Sequence, residues 1–311
     1  MDLVFVVIAP VFGAVILGFV LFRVGIFDAT TSEGLAKFVY YVAIPALLFR
    51  SLARAALPAV LPLPLIAAYY VPSIAIFGVG VLLGRHVLRW DRASQGIAGL
   101  GACYSNIVML GLPLATTAFG ASAAVPLFTL MALQSSLLFP LATYCIEVYG
   151  AREHGPRPPV YLSLGKLVMN PVIASLALGV LCNLSGWVPR GALDVLLEKL
   201  AQAATGCALV SLGVSLAQYR LAGDLRDSAV LLVVKNLVHP LLVWLACRAL
   251  HVPAEWMRVA VLLAAMPSGV NAYIFAKRYG LQEAVISKTI VLSTLISSAV
   301  TTFILHQTLA H

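Results

Sequence analysis

Charged residues are scarce in this chain. Asp, Glu, Lys and Arg make up 10% of its 311 residues, whereas hydrophobic residues make up 61%. Soluble globular domains carry about 25% charged residues, so this composition excludes an ordinary soluble domain. It predicts a polytopic membrane protein that is surrounded by the lipid bilayer.

Cysteine is scarce as well. The five cysteines are scattered through apolar segments, without the spacing of metal ligands or of a disulfide framework. We interpret them as reduced packing residues and expect no metal and no cofactor. The net charge of +8 would suit a nucleic-acid partner in a soluble protein, but basic residues in a membrane protein set its topology. We therefore expect no nucleic-acid partner.

Motifs of intramembrane enzymes and of channels are missing. The sequence contains no Gly-x-Ser-x-Gly, no His-Glu-x-x-His and no pair of aspartates within an apolar segment. It also lacks the charge rings or repeated filter sequence of a channel. A transporter is therefore favoured, with an intramembrane enzyme kept as the weaker alternative.

Ten stretches approach the roughly 20 apolar residues that a spanning helix needs. The predicted fold is therefore an all-α polytopic membrane protein of ten transmembrane helices. A charged, proline-rich linker at 149–164 separates a first five-helix repeat (1–148) from a second (165–311). The predicted spans are 3–22, 32–54, 62–84, 95–119, 121–148, 165–186, 192–218, 226–249, 256–279 and 282–308.

A proline and two glycines recur at an offset of 161 residues in the first and sixth predicted spans. Weaker matches continue into the second and seventh spans. Because each half holds five spans, an odd number, the second copy must enter the membrane from the opposite side, which makes an inverted repeat. The two triplets are Pro10, Gly18 and Gly25, and Pro171, Gly179 and Gly186.

The fourth and ninth spans each contain a cluster of amide, hydroxyl, glycine and proline residues. Lipid cannot form hydrogen bonds with the free backbone groups of a broken helix, so such segments face protein or a hydrated cavity. Paired breaks of this kind are typical of transporters. Their half-helix N-termini favour an anion. The candidate substrate-binding residues are Ser105, Asn106, Gly111, Pro113, Pro267, Ser268 and Asn271.

These candidates have different expected roles. Asn106 can donate a hydrogen bond to a carboxylate, although membrane bundles also use asparagine for packing between helices. Gly111, Pro113 and Pro267 are expected to shape the breaks rather than to touch a ligand through their side chains.

Lys235 and His239 lie one helical turn apart near the middle of the eighth span. An ionisable group there costs about 2.5 to 3.5 kcal/mol on insertion scales and commonly marks a pathway or relay. We interpret both as candidate coupling residues, with Lys235 as an internal cation whose charged form an arriving carboxylate favours. The structural alternative is that Lys235 pairs with a helix-end carbonyl and that His239 satisfies the kink before Pro240.

Basic residues divide unequally between alternate loops, eleven on one side and six on the other. The positive-inside rule then predicts a cytoplasmic linker and both termini outside, in the cell inner membrane. The eleven are Arg23, Arg85, Arg89, Arg92, Arg152, Arg157, Lys166, Arg220, Arg226, Lys277 and Arg278.

Three segments, 41–49, 105–114 and 266–276, resemble the auxin efflux carrier family of the bile acid/auxin/arsenite transporter superfamily, in its short bacterial form. This resemblance implies crossing fourth and ninth helices, scaffold and transport domains that move as an elevator, and a homodimer. It also implies organic-anion substrates, either auxin-like carboxylates or small dicarboxylates. Plant carriers have two asparagines in the fourth span, whereas this chain has only Asn106 there.

The alternative within this superfamily is a sodium-coupled symporter of the bile acid type. Sodium sites favour hard oxygen ligands, often with a carboxylate. All twelve Asp and Glu residues lie at or near the ends of predicted spans. The sequence therefore favours a carrier that does not use sodium.

Overall fold

The computed structural model describes residues 2–54, 62–150, 171–219 and 224–309. Within these ranges all regular secondary structure is helical, apart from one isolated bridge between two residues, which confirms the all-α prediction. The predicted linker lies outside the described residues from 151 onward. The helices are α1 Asp2–Arg23, α2 Ala29–Phe38, α3 Ile44–Arg54, α4 Leu63–His86, α5 Arg92–Cys103, α6 Leu112–Phe119, α7 Ala124–Gly150, α8 Pro171–Leu184, α9 Gly191–Gln218, α10 Leu225–Val233, α11 His239–Ala249, α12 Ala254–Ala264, α13 Val270–Tyr279 and α14 Glu283–Leu309.

Six helical stretches among the described residues are long and apolar enough to cross a membrane. Several consist of more than one helix, because short π segments join α2 to α3, and α10 to α11, without a break in the helical path. The six stretches are Ala29–Arg54, Leu63–His86, Ile107–Ile146, Gly191–Gln218, Leu225–Ala249 and Glu283–Gln307.

Each π segment precedes a proline by two residues. Proline has no N–H to donate, and its ring clashes with the carbonyl four residues earlier in a regular α-helix. The wider π turn moves this carbonyl away, so the helix continues past the proline. The three pairs are Val39–Ala43 with Pro45, Ile107–Gly111 with Pro113, and Val234–Val238 with Pro240.

Aspartates begin several of these helices. The carboxylate of Asp28 accepts a hydrogen bond from the Thr31 amide at 2.7 Å at the start of α2, and Asp91 accepts one from the Ser94 amide at 2.9 Å at the start of α5. Such bonds satisfy amides that have no partner within the helix. The bond to Thr31 also holds the pKa of Asp28 below its ordinary value. Acidic residues at span ends therefore serve as caps.

The helices pack in two groups. The first group contains α1, α2, α3, α8 and α9, and the second contains the remaining helices. In the first group α1 packs along α9, and α3 packs along α8. The cavity described below lies where the two groups meet.

Glycines allow the closest helix contacts of the first group. Gly18 of α1 lies against the backbone of Val210, and Gly179 of α8 lies against the backbone of Phe49. A Cβ at Gly179 would come within 3.0 Å of the Phe49 carbonyl oxygen. Small residues let membrane helices approach this closely.

Candidate substrate-binding site

The helical path is interrupted at residues 104–106 and 265–269, and the two interruptions meet. The Asn106 amide donates to the Pro267 carbonyl at 2.9 Å, and the Gly269 amide donates to the Tyr104 carbonyl at 2.8 Å. These bonds form an antiparallel bridge between Ser105 and Ser268. Each broken segment thereby satisfies backbone groups of the other, which lipid could not do.

The first interruption lies earlier than Gly111 and Pro113, the residues that the sequence analysis expected to shape it. Gly111 ends the π segment and Pro113 occupies the first turn of α6, where its missing N–H costs little. Gly111 serves packing, because a Cβ there would lie 3.0 Å from the Leu263 side chain. The helical path resumes directly after Asn106, which caps it.

Three buried side chains hold the bridge from neighbouring helices. Tyr69 of α4 donates from its hydroxyl to the Ser105 hydroxyl at 3.3 Å, and Gln134 of α7 donates to the Ser105 carbonyl at 2.8 Å. Ser293 of α14 accepts from the Ser268 amide at 3.1 Å. The Ser268 hydroxyl donates to the Gly101 carbonyl at 3.0 Å and so caps the end of α5.

A cavity of about 450 Å³ opens beside this bridge. The second group of helices contributes residues 104–109, Gln134 and residues 269–271 to its wall, whereas the first group contributes the segment around Val39–Ala43 and Ser215. Of the predicted substrate residues, Ser105, Asn106 and Asn271 line the cavity. The remainder, Gly111, Pro113, Pro267 and Ser268, do not line it.

Two helix N-termini point at this cavity. One is the start of the helical path at Ile107, which Asn106 caps by accepting from the Met109 amide at 3.4 Å. The other is the start of α13 at Val270. Both ends carry partial positive charge and favour an anion.

Asn106 and Asn271 differ in whether the nitrogen of the side-chain amide already has a hydrogen-bond partner. The Asn271 Nδ2 donates to the Tyr104 hydroxyl at 3.0 Å, and that hydroxyl lies 2.8 Å from the Ser135 Oγ. The Asn106 side chain is 5% exposed, and its Nδ2 has no hydrogen-bond partner among the described residues. Asn106 thus carries a buried donor without a partner in a residue that lines the cavity.

One ion pair belongs to the cavity wall. Lys37 and Glu33 of α2 both line the cavity and pair with each other at 2.6 Å, with side chains 64% and 68% exposed. Such an exposed pair contributes little stability. It leaves the cavity without net charge at this position.

Lys235 and His239 do not line this cavity. Lys235 is fully buried, and its ammonium donates to the Ala264 carbonyl at 2.6 Å and lies 3.3 Å from the His239 Nδ1. The His239 Nε2 lies 2.9 Å from the Ser73 hydroxyl. This is the helix-end pairing of the structural alternative, because Ala264 ends α12 immediately before the second interruption.

Sequence reasoning missed several polar cavity residues, among them Tyr104, Gln134, Ser215 and Lys37. Tyr104 adjoins the predicted cluster and could have been included. Gln134 is a lone amide within an apolar span, a signal that resembles that of Asn106. Nothing in the sequence singles out Ser215 or Lys37, because their place in the wall depends on how α2 and α9 pack against the interruptions.

Within the described ranges, no three His, Cys, Asp or Glu residues are grouped in a way that could hold a metal ion. Apart from the paired Lys37 and Glu33, the polar atoms of the cavity come from amides, hydroxyls and backbone. This donor set suits an organic anion better than a metal ion.

Known proteins resemble this chain over nearly its full length. A family model described as "Membrane transport protein" matches residues 3–305. A putative malonate transporter of Rhizobium meliloti (strain 1021) is 30% identical over 308 residues, which cover 96% of this chain and 94% of the relative. Auxin efflux carrier component 8 of Arabidopsis thaliana is 23% identical over 344 residues, which cover 93% and 92%.

Proposed function

Because the chain belongs to the membrane transport protein family, which includes the auxin efflux carriers, we propose that it is a secondary active transporter of organic anions. Its family relatives are transporters, not enzymes. One observation supports a negatively charged substrate. Asn106, whose amide nitrogen is buried without a hydrogen-bond partner among the described residues, lines a cavity at which two helix N-termini begin, and a carboxylate fits both features.

Contacts between the halves support a ten-span inverted repeat. Gly18 contacts Val210, and Gly179 contacts Phe49. Gly179 lies 161 positions after Gly18, and Val210 lies 161 positions after Phe49. The two contacts therefore join equivalent positions of the two halves, at an offset of 161 residues. The bridge between Ser105 and Ser268 is antiparallel, as expected where two inverted copies cross.

Helix lengths support the same span count. The stretch Ile107–Ile146 has 40 residues, which correspond to about 60 Å of helix, twice the roughly 30 Å of a hydrocarbon core. The chain also turns at Gly120, where φ is +59°. The stretch therefore suits the outer half of the fourth span followed by a complete fifth span.

The position of the cavity supports elevator-type movement. Its walls come from both helix groups, and both interrupted segments belong to the second group. In this proposal the first group is a scaffold, and the second carries the anion past it. The halves 1–148 and 165–311 each contribute helices to both groups.

We propose that the linker is cytoplasmic and that both termini lie outside, from the unequal distribution of basic residues. A cysteine replacing Gly155 in the linker should then be protected from an impermeant maleimide in intact cells. A cysteine replacing Glu255, in the first turn of α12, should be labelled. Labelling of the first position and protection of the second would reverse the orientation.

Lys235 serves in this proposal as an internal cation. Its ammonium lies at the C-terminal end of α12, where the helix dipole is negative, beside the second interruption. A carboxylate held across the bridge would favour the charged form of Lys235, which then balances the anion without a metal ion. No coupling to sodium is therefore required.

The proposed function is tested by uptake into proteoliposomes that contain the purified full chain. Labelled malonate, an aromatic acetate and a short monocarboxylate are offered while pH and sodium gradients are imposed separately. We expect at least one carboxylate to enter above the level of empty vesicles, with no change when choline replaces sodium. Transport of no carboxylate, or transport only with sodium, would contradict the proposal.

A further inference from the structure

Two arginines and two carboxylates form an ion-pair cluster between α3 and α9. The Arg50 Nε lies 2.8 Å from the Asp194 Oδ1, and the Arg50 Nη2 lies 3.4 Å from the Glu198 Oε2. The Arg54 Nη2 lies 2.6 Å from the Asp194 Oδ2 and donates to the Pro189 carbonyl at 3.2 Å. These four charged side chains, called the charged cluster below, do not line the cavity.

The charged cluster lies at the opposite membrane face from the mouth of the cavity. Lys37 and Glu33 line the cavity and are two-thirds exposed, so the cavity opens at this end of α2, because charged groups require water. Ser215 of α9, a helix that packs against α2, also lines it. Asp194 lies 21 residues before Ser215 in α9. This interval corresponds to about 31 Å of helix, close to the thickness of a hydrocarbon core.

The mouth and the charged cluster occupy equivalent positions in the two halves of the chain. The offset of 161 residues that relates the glycine contacts above also relates these two sets. In equivalent order, the mouth residues are Glu33, Lys37 and Ser215, and the cluster residues are Asp194, Glu198 and Arg54. The inverted repeat proposed above therefore makes the charged cluster the counterpart of the mouth at the other face.

A carrier that works by alternating access opens the same site first to one face of the membrane and then to the other. In an inverted repeat, elements that border the opening at one face have their counterparts at the other. We propose that the charged cluster borders the opening at its own face, and that Arg54 there binds the carboxylate of an arriving organic anion. This inference rests on the proposed function and adds an entry site to it.

Arg54 has the groups that this role requires. Its side chain is 41% exposed. Its bonds within the described residues all use the Nη2 atom, so the Nε and Nη1 hydrogens remain for a ligand. A guanidinium binds a carboxylate through two parallel hydrogen bonds. Asp194 also pairs with Arg50, so it keeps a partner when Arg54 turns to the anion.

The mouth of the cavity differs from the charged cluster in this respect. Ser215 stands there at the position equivalent to Arg54, and Lys37 is paired with Glu33. Loss of Arg54 should therefore weaken entry from the cluster face and leave entry from the cavity face unchanged.

The test measures the concentration that gives half-maximal uptake of labelled malonate, phenylacetate and propionate into vesicles of both orientations. An impermeant maleimide identifies the vesicles that expose the cluster face, because it labels a cysteine replacing Glu255 at that face. In Arg54→Gln this concentration should rise about tenfold at the cluster face, as for a lost charge-assisted bond. It should change less than twofold at the cavity face.

Two further variants separate the guanidinium from the charge of the surface. Arg54→Lys keeps the positive charge beside Asp194 but cannot form two parallel bonds, so its shift should be smaller and confined to the cluster face. It also supplies the test if Arg54→Gln does not fold. Arg248→Gln is the matched control, because Arg248 ends α11 at the same face and lies over the Trp244 ring, outside the charged cluster. It should keep the wild-type values at both faces.

An equal shift at both faces, or no shift at either, in a folded Arg54 variant would overturn this inference and leave the proposed function standing. So would a shift of the same size in Arg248→Gln, because it would arise from the charge of the whole face. Uptake of none of the three carboxylates by the folded wild-type protein would overturn the proposed function together with the inference.

Discussion

Replacing Lys235 with Met is expected to weaken carboxylate binding by about an order of magnitude while the protein remains folded. If the separation from the anion is taken as on the order of 10 Å, a unit charge at an effective dielectric constant of about 20 contributes about 1.7 kcal/mol. The fold loses the bond to the Ala264 carbonyl, which costs about 1 to 3 kcal/mol. It also no longer buries an ammonium that has no carboxylate partner, which offsets this cost.

Lys235→Gln separates the charge from the hydrogen bond. Its amide keeps an N–H donor directed towards the Ala264 carbonyl, although it is one bond shorter than lysine, so we expect higher thermal stability than that of Lys235→Met together with the same weakened binding. Any proton uptake that accompanies binding should disappear in both variants. Wild-type affinity in folded Lys235→Gln would show that Lys235 serves only as a helix cap.

Replacing Asn106 with Asp is expected to remove carboxylate binding almost completely. An aspartate can keep the cap, because its oxygen can still accept from the Met109 amide. It replaces the free donor with a negatively charged acceptor, so the charge-assisted bond is lost and repulsion is added. The bond alone accounts for about 1.5 to 3 kcal/mol, or roughly ten- to hundredfold in affinity.

Asn106→Ala should fall between the wild type and Asn106→Asp, because it loses the donor without adding charge. Asn183→Asp is the control, since Asn183 is a partly buried amide of α8 that donates to the Leu52 carbonyl, away from the cavity. Its effect on affinity should be small when the folded fractions are matched. Unchanged affinity in folded Asn106→Asp would return Asn106 to a packing role.

The interruptions could be predicted from the sequence because their chemistry is local. Amide, glycine and proline residues inside an apolar stretch leave backbone groups that lipid cannot satisfy, and Asn106 is also a strong helix cap. The exact start of the first interruption could not be predicted. Pro113 looked like its cause, but the π segment Ile107–Gly111 absorbs that proline.

Other features depend on contacts between distant parts of the chain. Lys235 was recognised as a buried cation, but its partner, the Ala264 carbonyl, lies 29 residues away. Gln134 likewise holds the Ser105 carbonyl, 29 residues away along the chain. Local patterns carry no information about such pairings, which follow from how the two halves pack.

The most direct measurement is an experimental structure of the full chain with a transported carboxylate bound. We expect a carboxylate oxygen within about 3.2 Å of the Asn106 Nδ2, beside the bridge between Ser105 and Ser268. An anion bound elsewhere, with this cavity holding only water, would contradict the proposed site.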